Sequence, residues 1–146
     1  VLVNNAGLGG ETPLVDMTDD EWDRVLNVTL NSVMRATRAA LRYFRDAGHG
    51  GVIVNNASVL AWRAQHSQSH YAAAKAGVMA LTRCSAIEAA EHGVRINAVS
   101  PSLAMHANLA KVTPEVLAGL EVVQALFGRA HGKFPRCCET VIEWAS

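Results

Sequence analysis

The chain has 146 residues, half of them hydrophobic, with 13 lysines and arginines set against 13 aspartates and glutamates; this suits one soluble globular domain of ordinary composition. A formal charge of zero without a basic cluster leaves no electrostatic footprint for nucleic acid, and no run of about 18 uncharged apolar residues predicts a membrane span. The three cysteines, Cys84, Cys137 and Cys138, form neither an even disulfide framework nor a C-x-x-C metal pair. Reduced thiols in a cytoplasmic protein are expected, with Cys84 as a small core residue.

Val1-Leu-Val-Asn-Asn-Ala-Gly7 reads as a short apolar strand running into a small-residue turn, and Leu8-Gly-Gly10 as a further turn. Thr18-Asp-Asp-Glu21 is a capping-box signature, with the glutamate expected to reach back to its own turn. The long helix it opens keeps a 3.6-residue stripe through Trp22, Val25, Leu26, Leu30, Val33, Met34, Thr37, Leu41 and Phe44, and stops at Gly48. Val52-Ile-Val54 is continuously apolar, the pattern of a parallel strand covered by helices on both faces. From Tyr71 to about Glu91 an alanine-rich stretch predicts a second long helix, followed by a third strand, Val94 to Pro101. Beyond it, 102–112 reads as a loop, and Thr113-Pro-Glu115 caps a new helix. Strand, helix, strand, helix, strand is the βαβαβ half of a parallel sheet.

The chemistry concentrates at Tyr71 and Lys75. Residues four apart share one helix face, so the Lys75 ammonium is expected near the Tyr71 phenol, lowering its pKa from about 10 and making it a usable general acid and base. Ser58 lies thirteen positions before the tyrosine, at the end of the second strand. His66 and His70 have the spacing of a helical metal pair, yet they precede the expected helix and lack a third ligand; no metal is expected. The stretch from Trp62 to His70 joins Ser58 to Tyr71 and reads as substrate-pocket wall.

With Asn4-Asn-Ala-Gly7, Ser58, Tyr71 and Lys75 in this order and spacing, the chain resembles the short-chain dehydrogenase/reductase family up to about Arg129. The resemblance implies an α/β fold, a Rossmann-type doubly wound parallel sheet of which only the C-terminal portion is present. A chain that opens on valine inside a strand is read as a fragment, without the Gly-rich phosphate-binding half or the last strand. Residues 1–146 are thus expected to form one partial NAD(P)-binding domain.

The family's function, carried onto this sequence, is an oxidoreductase that interconverts a secondary alcohol and a ketone by hydride transfer with NAD or NADP. Ser58, Tyr71 and Lys75 are the implied catalytic residues. Asn5, Ala6, Gly7, Pro101, Ser102 and Ala104 are the implied cofactor contacts, joined by Tyr71 and Lys75. The substrate would be a small-molecule alcohol or ketone, the assembly a homodimer or homotetramer, and the chain as given inactive. The wording from Trp62 to Glu91 looks most like bacterial members associated with breakdown of steroid rings or acyl thioesters. A second hypothesis is a catalytically silent remnant or interaction module of the same fold.

Four departures from the family's pattern stand out. Ser102 replaces a usual glycine and His106 a usual threonine. Thr29 stands where an asparagine, thought to act through its backbone carbonyl, is usual, so a modified proton relay is expected. The interval 131–143 fits poorly and suggests a shifted reading frame.

Overall fold

The computed structural model describes residues 1–101 together with the backbone of 141–143. The expectations placed on 102–140, including Ser102, Ala104, His106, the loop and the helix capped by Thr113, lie outside the described residues. Strand β1 (Leu2–Asn4) leads to helix α1 (Asp19–Leu26), which passes through a π-helical turn at Asn27–Asn31 into α2 (Ser32–Ala47). Strand β2 (Gly51–Asn56), helix α3 (Ser69–Ala90) and strand β3 (Val94–Ser100) follow, and β4 (Val141–Glu143) closes the described set.

The sheet order is β1-β2-β3-β4. Strands β1, β2 and β3 are parallel, with Leu2 opposite Ile53, Asn4 opposite Asn55 and Ile53 opposite Ile96. The resulting three-stranded βαβαβ unit is a Rossmann-like α/β half-sheet. Strand β4 departs from the expected all-parallel sheet, because it runs antiparallel to β3 with Ser100 opposite Val141.

Among the described residues, both long helices cover the same face of the sheet. Phe44 from α2 and Ala86 and Ala89 from α3 pack with Ile53, Val94 and Ile96 in one buried cluster. Val33, Val78 and Met79 join Ala57 and Ala98 in a second. Two right-handed crossovers that advance in one direction across the sheet must put both helices on one side. The expectation of helices on both faces is therefore corrected for these residues: along β3, Val94, Ile96, Ala98 and Ser100 are buried, while Arg95, Asn97 and Val99 on the other face are not.

A polar chain crosses this packed layer. Asn4 donates through Nδ2 to Asn55 Oδ1 at 2.8 Å and to Thr37 Oγ1 at 3.2 Å, and Asn55 donates to Thr82 Oγ1 at 2.9 Å. Thr82 in turn donates to the Val78 carbonyl. Buried carboxamides are tolerated when their groups are paired in this way. The pairing couples α2, β1, β2 and α3, and fixes the strand ends from which Asn5 and Asn56 emerge.

The predicted long helix is thus two helices joined by a π turn, a local widening that recurs at functional positions. Thr18 caps α1 by accepting from the Glu21 backbone N–H, but the Glu21 carboxylate does not complete a capping box. It turns to the loop after β1, where Thr12 Oγ1 donates to Oε1 at 2.6 Å. Gly48 ends α2 in the left-handed region, φ 68°, where a Cβ would be strained. Cys84 is exposed, which corrects its expected core position: it sits on the face of α3 turned away from Val78, Thr82 and Ser85.

Candidate active site

A cleft of about 470 Å³ opens at the C-terminal ends of the parallel strands, the place where such sheets bind ligands. Asn5, Gly7, Gly9 and Gly10 from the loop after β1, Asn56 from the end of β2, and Gln68, Tyr71 and Lys75 around the start of α3 are among its lining residues. Each sits there because the local sequence ends a strand or begins a helix at that level.

Tyr71 and Lys75 are one turn apart on α3, and the Lys75 ammonium lies 5.6 Å from the centroid of the Tyr71 ring. Lys75 is buried to 3% exposure and donates to the Asn56 carbonyl oxygen at 2.5 Å. Burial lowers its pKa to about 8. The Ser58 hydroxyl accepts from the Leu60 backbone N–H at 3.2 Å and lies close enough to the Tyr71 phenol to favour its ionised form, although Ser58 is not among the cleft's lining residues.

The expectation that Lys75 lowers the phenol's pKa does not describe this state of the site. Tyr71 is raised above its ordinary value, because loss of water around the phenol outweighs the opposing influence of Ser58. The ammonium faces the ring and the Asn56 carbonyl oxygen.

Of the other residues singled out from sequence, Asn5 and Gly7 line the same cleft. Asn5 Oδ1 accepts from Asn56 Nδ2 at 2.6 Å, and a Cβ on Gly7 would lie 3.5 Å from the Lys75 ammonium. Ala6 and Pro101 are not among the lining residues, and Pro101 instead accepts from the Val59 backbone N–H at 3.1 Å. From the expected pocket wall, Gln68 lines the cleft, whereas Trp62 does not. His66 and His70 are not brought together: His66 is exposed against Ser67 and His70 is buried inside the N-terminal turn of α3. No cluster of potential metal ligands exists among the described residues.

Several contributors escaped sequence reasoning. Gly9, Gly10 and Asn56 line the cleft through the fold of a loop that reads as a plain turn. Thr29 reaches the site from the π turn, fully buried, with its hydroxyl accepting from Leu8 N–H and donating to Leu8 C=O, both at 2.9 Å. The hydroxyl thereby clamps the loop that carries the glycines. Asn27 and Asn31 pair with each other on the exposed side.

The sequence profile of the family described as short chain dehydrogenase matches residues 1–116. The chain is 78% identical over 130 residues to (5R,7aS)-5-hydroxy-7a-methyl-1-oxo-2,3,5,6,7,7a-hexahydro-1H-indene-carboxyl-CoA reductase of Mycobacterium tuberculosis, a match covering 89% of this chain and 50% of that protein. It is 44% identical over 102 residues to 3beta-hydroxysteroid dehydrogenase 2 of Eggerthella lenta, covering 69% and 39%. A crystal structure of a short chain dehydrogenase from Mycobacterium smegmatis superposes with a TM-score of 0.69 at 88% identity, covering 71% of this chain and 43% of that one. The chain spans half or less of the length of these relatives. The profile match over most of the chain, carried on the parallel half-sheet just described, makes it a member of the short-chain dehydrogenase family.

Proposed function

We propose that this chain carries the catalytic part of an NAD(P)-dependent oxidoreductase that interconverts a secondary alcohol and a ketone, with Tyr71 as general acid and base. The observation that supports it most is the convergence, in one cleft, of the Tyr71 phenol and a buried Lys75 ammonium held 5.6 Å from the centroid of the same ring.

The residues present fit a nicotinamide dinucleotide. Three glycines keep the wall beside Tyr71 and Lys75 free of side chains, and Asn56 Oδ1 is buried without a hydrogen-bond partner among the described residues. Asn5, Ala6 and Gly7 would lie beneath the adenosine side, Lys75 would hold ribose hydroxyls, and Pro101, Ser102 and Ala104 would flank the nicotinamide. When bound in reduced form, that group supplies the hydride to the carbonyl carbon. Tyr71 gives its proton to the carbonyl oxygen while Ser58 hydrogen-bonds the same oxygen, leaving an alcohol and a phenolate. Lys75 lies against the ring that acquires the negative charge and stabilises it. Oxidation of the alcohol reverses each transfer.

The relatives' names point to a fused-ring alcohol or ketone, carried in one case as a coenzyme A thioester, and we assign this substrate class to the full-length enzyme, meaning a protein of the relatives' length that contains this chain. We place it in the cytoplasm as a homo-oligomer, for which the exposed Ile87 on α3 and Tyr43 on α2 supply apolar surface. The test is a panel of ring ketones, free and as coenzyme A thioesters, assayed with NADH and NADPH. Turnover of at least one supports the proposal, and none with either coenzyme contradicts it.

One observation favours a second reading for the 146-residue chain by itself. Val1, just before β1, and Val3 within it are 92% and 61% exposed beside a strand edge that is unpaired among the described residues, a surface that invites association. In isolation the chain would then be a silent portion of the fold.

A further inference from the structure

His70 is completely buried, directly before Tyr71 in α3, yet neither of its ring nitrogens has a hydrogen-bond partner among the described residues. An apolar side chain of similar size would fill that space without burying two polar atoms, so packing alone gives no reason for a histidine there. What surrounds it does. Nε2 lies 3.4 Å from Glu21 Oε1 of α1, and Gly10 is set against this pair: a Cβ there would fall 2.8 Å from Nε2 and 3.0 Å from Oε1. The same carboxylate oxygen accepts from Thr12 Oγ1 at 2.6 Å. Gln68, two residues before His70, donates to the Gly10 carbonyl at 2.6 Å, and Thr12 N–H donates to the Ser67 carbonyl at 3.3 Å.

These contacts hold one short segment, Gly9 to Thr12, from both sides. At its near end Gly9 faces the Tyr71 ring, with room for no more than a methyl group between them: a Cβ there would be 3.5 Å from Cδ2. We infer that His70 is a positioning residue: with Glu21 it grips Gly10, and thereby presses the Gly9 wall of the cleft onto the Tyr71 ring. The contact with the ring is a matter of geometry alone, whereas its effect on turnover rests on the function proposed above.

The experiment separates the two. In the full-length enzyme labelled with [13Cζ]tyrosine, the Tyr71 resonance, identified by its loss in Tyr71→Phe, reports hydration and titration of the phenol without any substrate. His70→Leu keeps the bulk and removes the Nε2 contact with Glu21. It is expected to shift the Tyr71 resonance and bring its titration midpoint down toward the ordinary tyrosine value, with an unchanged or higher thermal midpoint. His70→Gln, which restores a donor, should return both toward the parent. In turnover, His70→Leu is expected to lower kcat by about 10- to 100-fold, the effect of a misplaced catalytic group, with KM for the coenzyme changed less than about threefold, and His70→Gln to recover to within about threefold.

Should His70→Leu fail to fold, Gly10→Ala tests the same grip from the other side, because its new methyl would meet Nε2 and push the wall away. A Tyr71 resonance and midpoint that stay at the parent values in a folded His70→Leu, or in Gly10→Ala, would overturn the inference whatever the activity. An enzyme inactive on every ring ketone that nevertheless shows the Tyr71 shift would retain the positioning and discard the substrate assignment.

Discussion

Thr29 offers a sharp test of how the π turn serves the site. Its hydroxyl satisfies both backbone groups of Leu8 at 2.9 Å while the side chain is fully buried. Thr29→Val preserves shape and removes only the hydroxyl, leaving a part-buried N–H and C=O unpaired. At about 1 to 1.5 kcal/mol for each lost bond, the expected destabilisation is about 2 to 3 kcal/mol. Thr29→Ser keeps the hydroxyl and loses one buried methyl, about 1 kcal/mol. Urea unfolding of the full-length enzyme, followed by tryptophan fluorescence, measures both. The distinguishing outcome is the order, since valine is the better hydrophobe and serine the better hydrogen-bonder. A valine variant within about 0.5 kcal/mol of the parent, or a serine variant as unstable as the valine one, would refute the clamp.

Further expectations follow from the same contacts. Lys75 titrates near 8 in the folded chain against 10.5 when exposed, so between those values the unfolded state binds more protons and stability rises with pH, by on the order of 3 kcal/mol. Tyr71, raised above 10, acts in the opposite sense at higher pH, so the gain should be seen between pH 8 and 10 and be lost in Lys75→Met; a parent and variant with parallel pH profiles would contradict it. Asn55→Leu removes the bonds to Asn4 and Thr82 in a fully buried position, and a loss of about 2 to 3 kcal/mol in urea unfolding is expected. The isolated 146-residue chain, with its exposed β1 edge, should aggregate and show no calorimetric binding of NAD or NADP, and low-micromolar binding by a monodisperse sample would contradict this. Restoring the family's usual residue with Thr29→Asn should change turnover less than about tenfold, or about 1.4 kcal/mol of barrier; a gain of a hundredfold would mean that the Thr29 clamp is a defect.

The parallel half-sheet was legible because Val52-Ile-Val54 and Val94-Arg-Ile96 are short β-branched runs separated by a helix-length stretch, and that signal is local. That Tyr71 and Lys75 share a helix face was legible because residues four apart stack along one turn, and both line the cleft. What sequence did not show depends on contacts between distant segments. The stripe from Trp22 to Phe44 is continuous, so nothing in it marks the π turn, which reveals itself through the bond between Thr29 and Leu8, 21 residues apart. Two valines and an isoleucine in a row cannot say which sheet face is covered; crossover handedness and strand order decide it. Glu21 reads as a cap by spacing, and only the folded loop shows Thr12 and His70 competing for its carboxylate. The direction of the Tyr71 shift was missed for a related reason, since proximity of a cation is visible in spacing and desolvation is not.

The central claim is that Tyr71 carries the proton. Tyr71→Phe removes the phenol oxygen and keeps the ring that packs beneath Gly9 and beside Lys75, so the fold and thermal midpoint should be retained. The decisive measurement is turnover of the full-length Tyr71→Phe enzyme on its best ring-ketone substrate, beside its thermal midpoint. A loss of at least about 10²-fold with the midpoint unchanged is the expected result, and a folded variant with near-parental turnover would contradict the assignment.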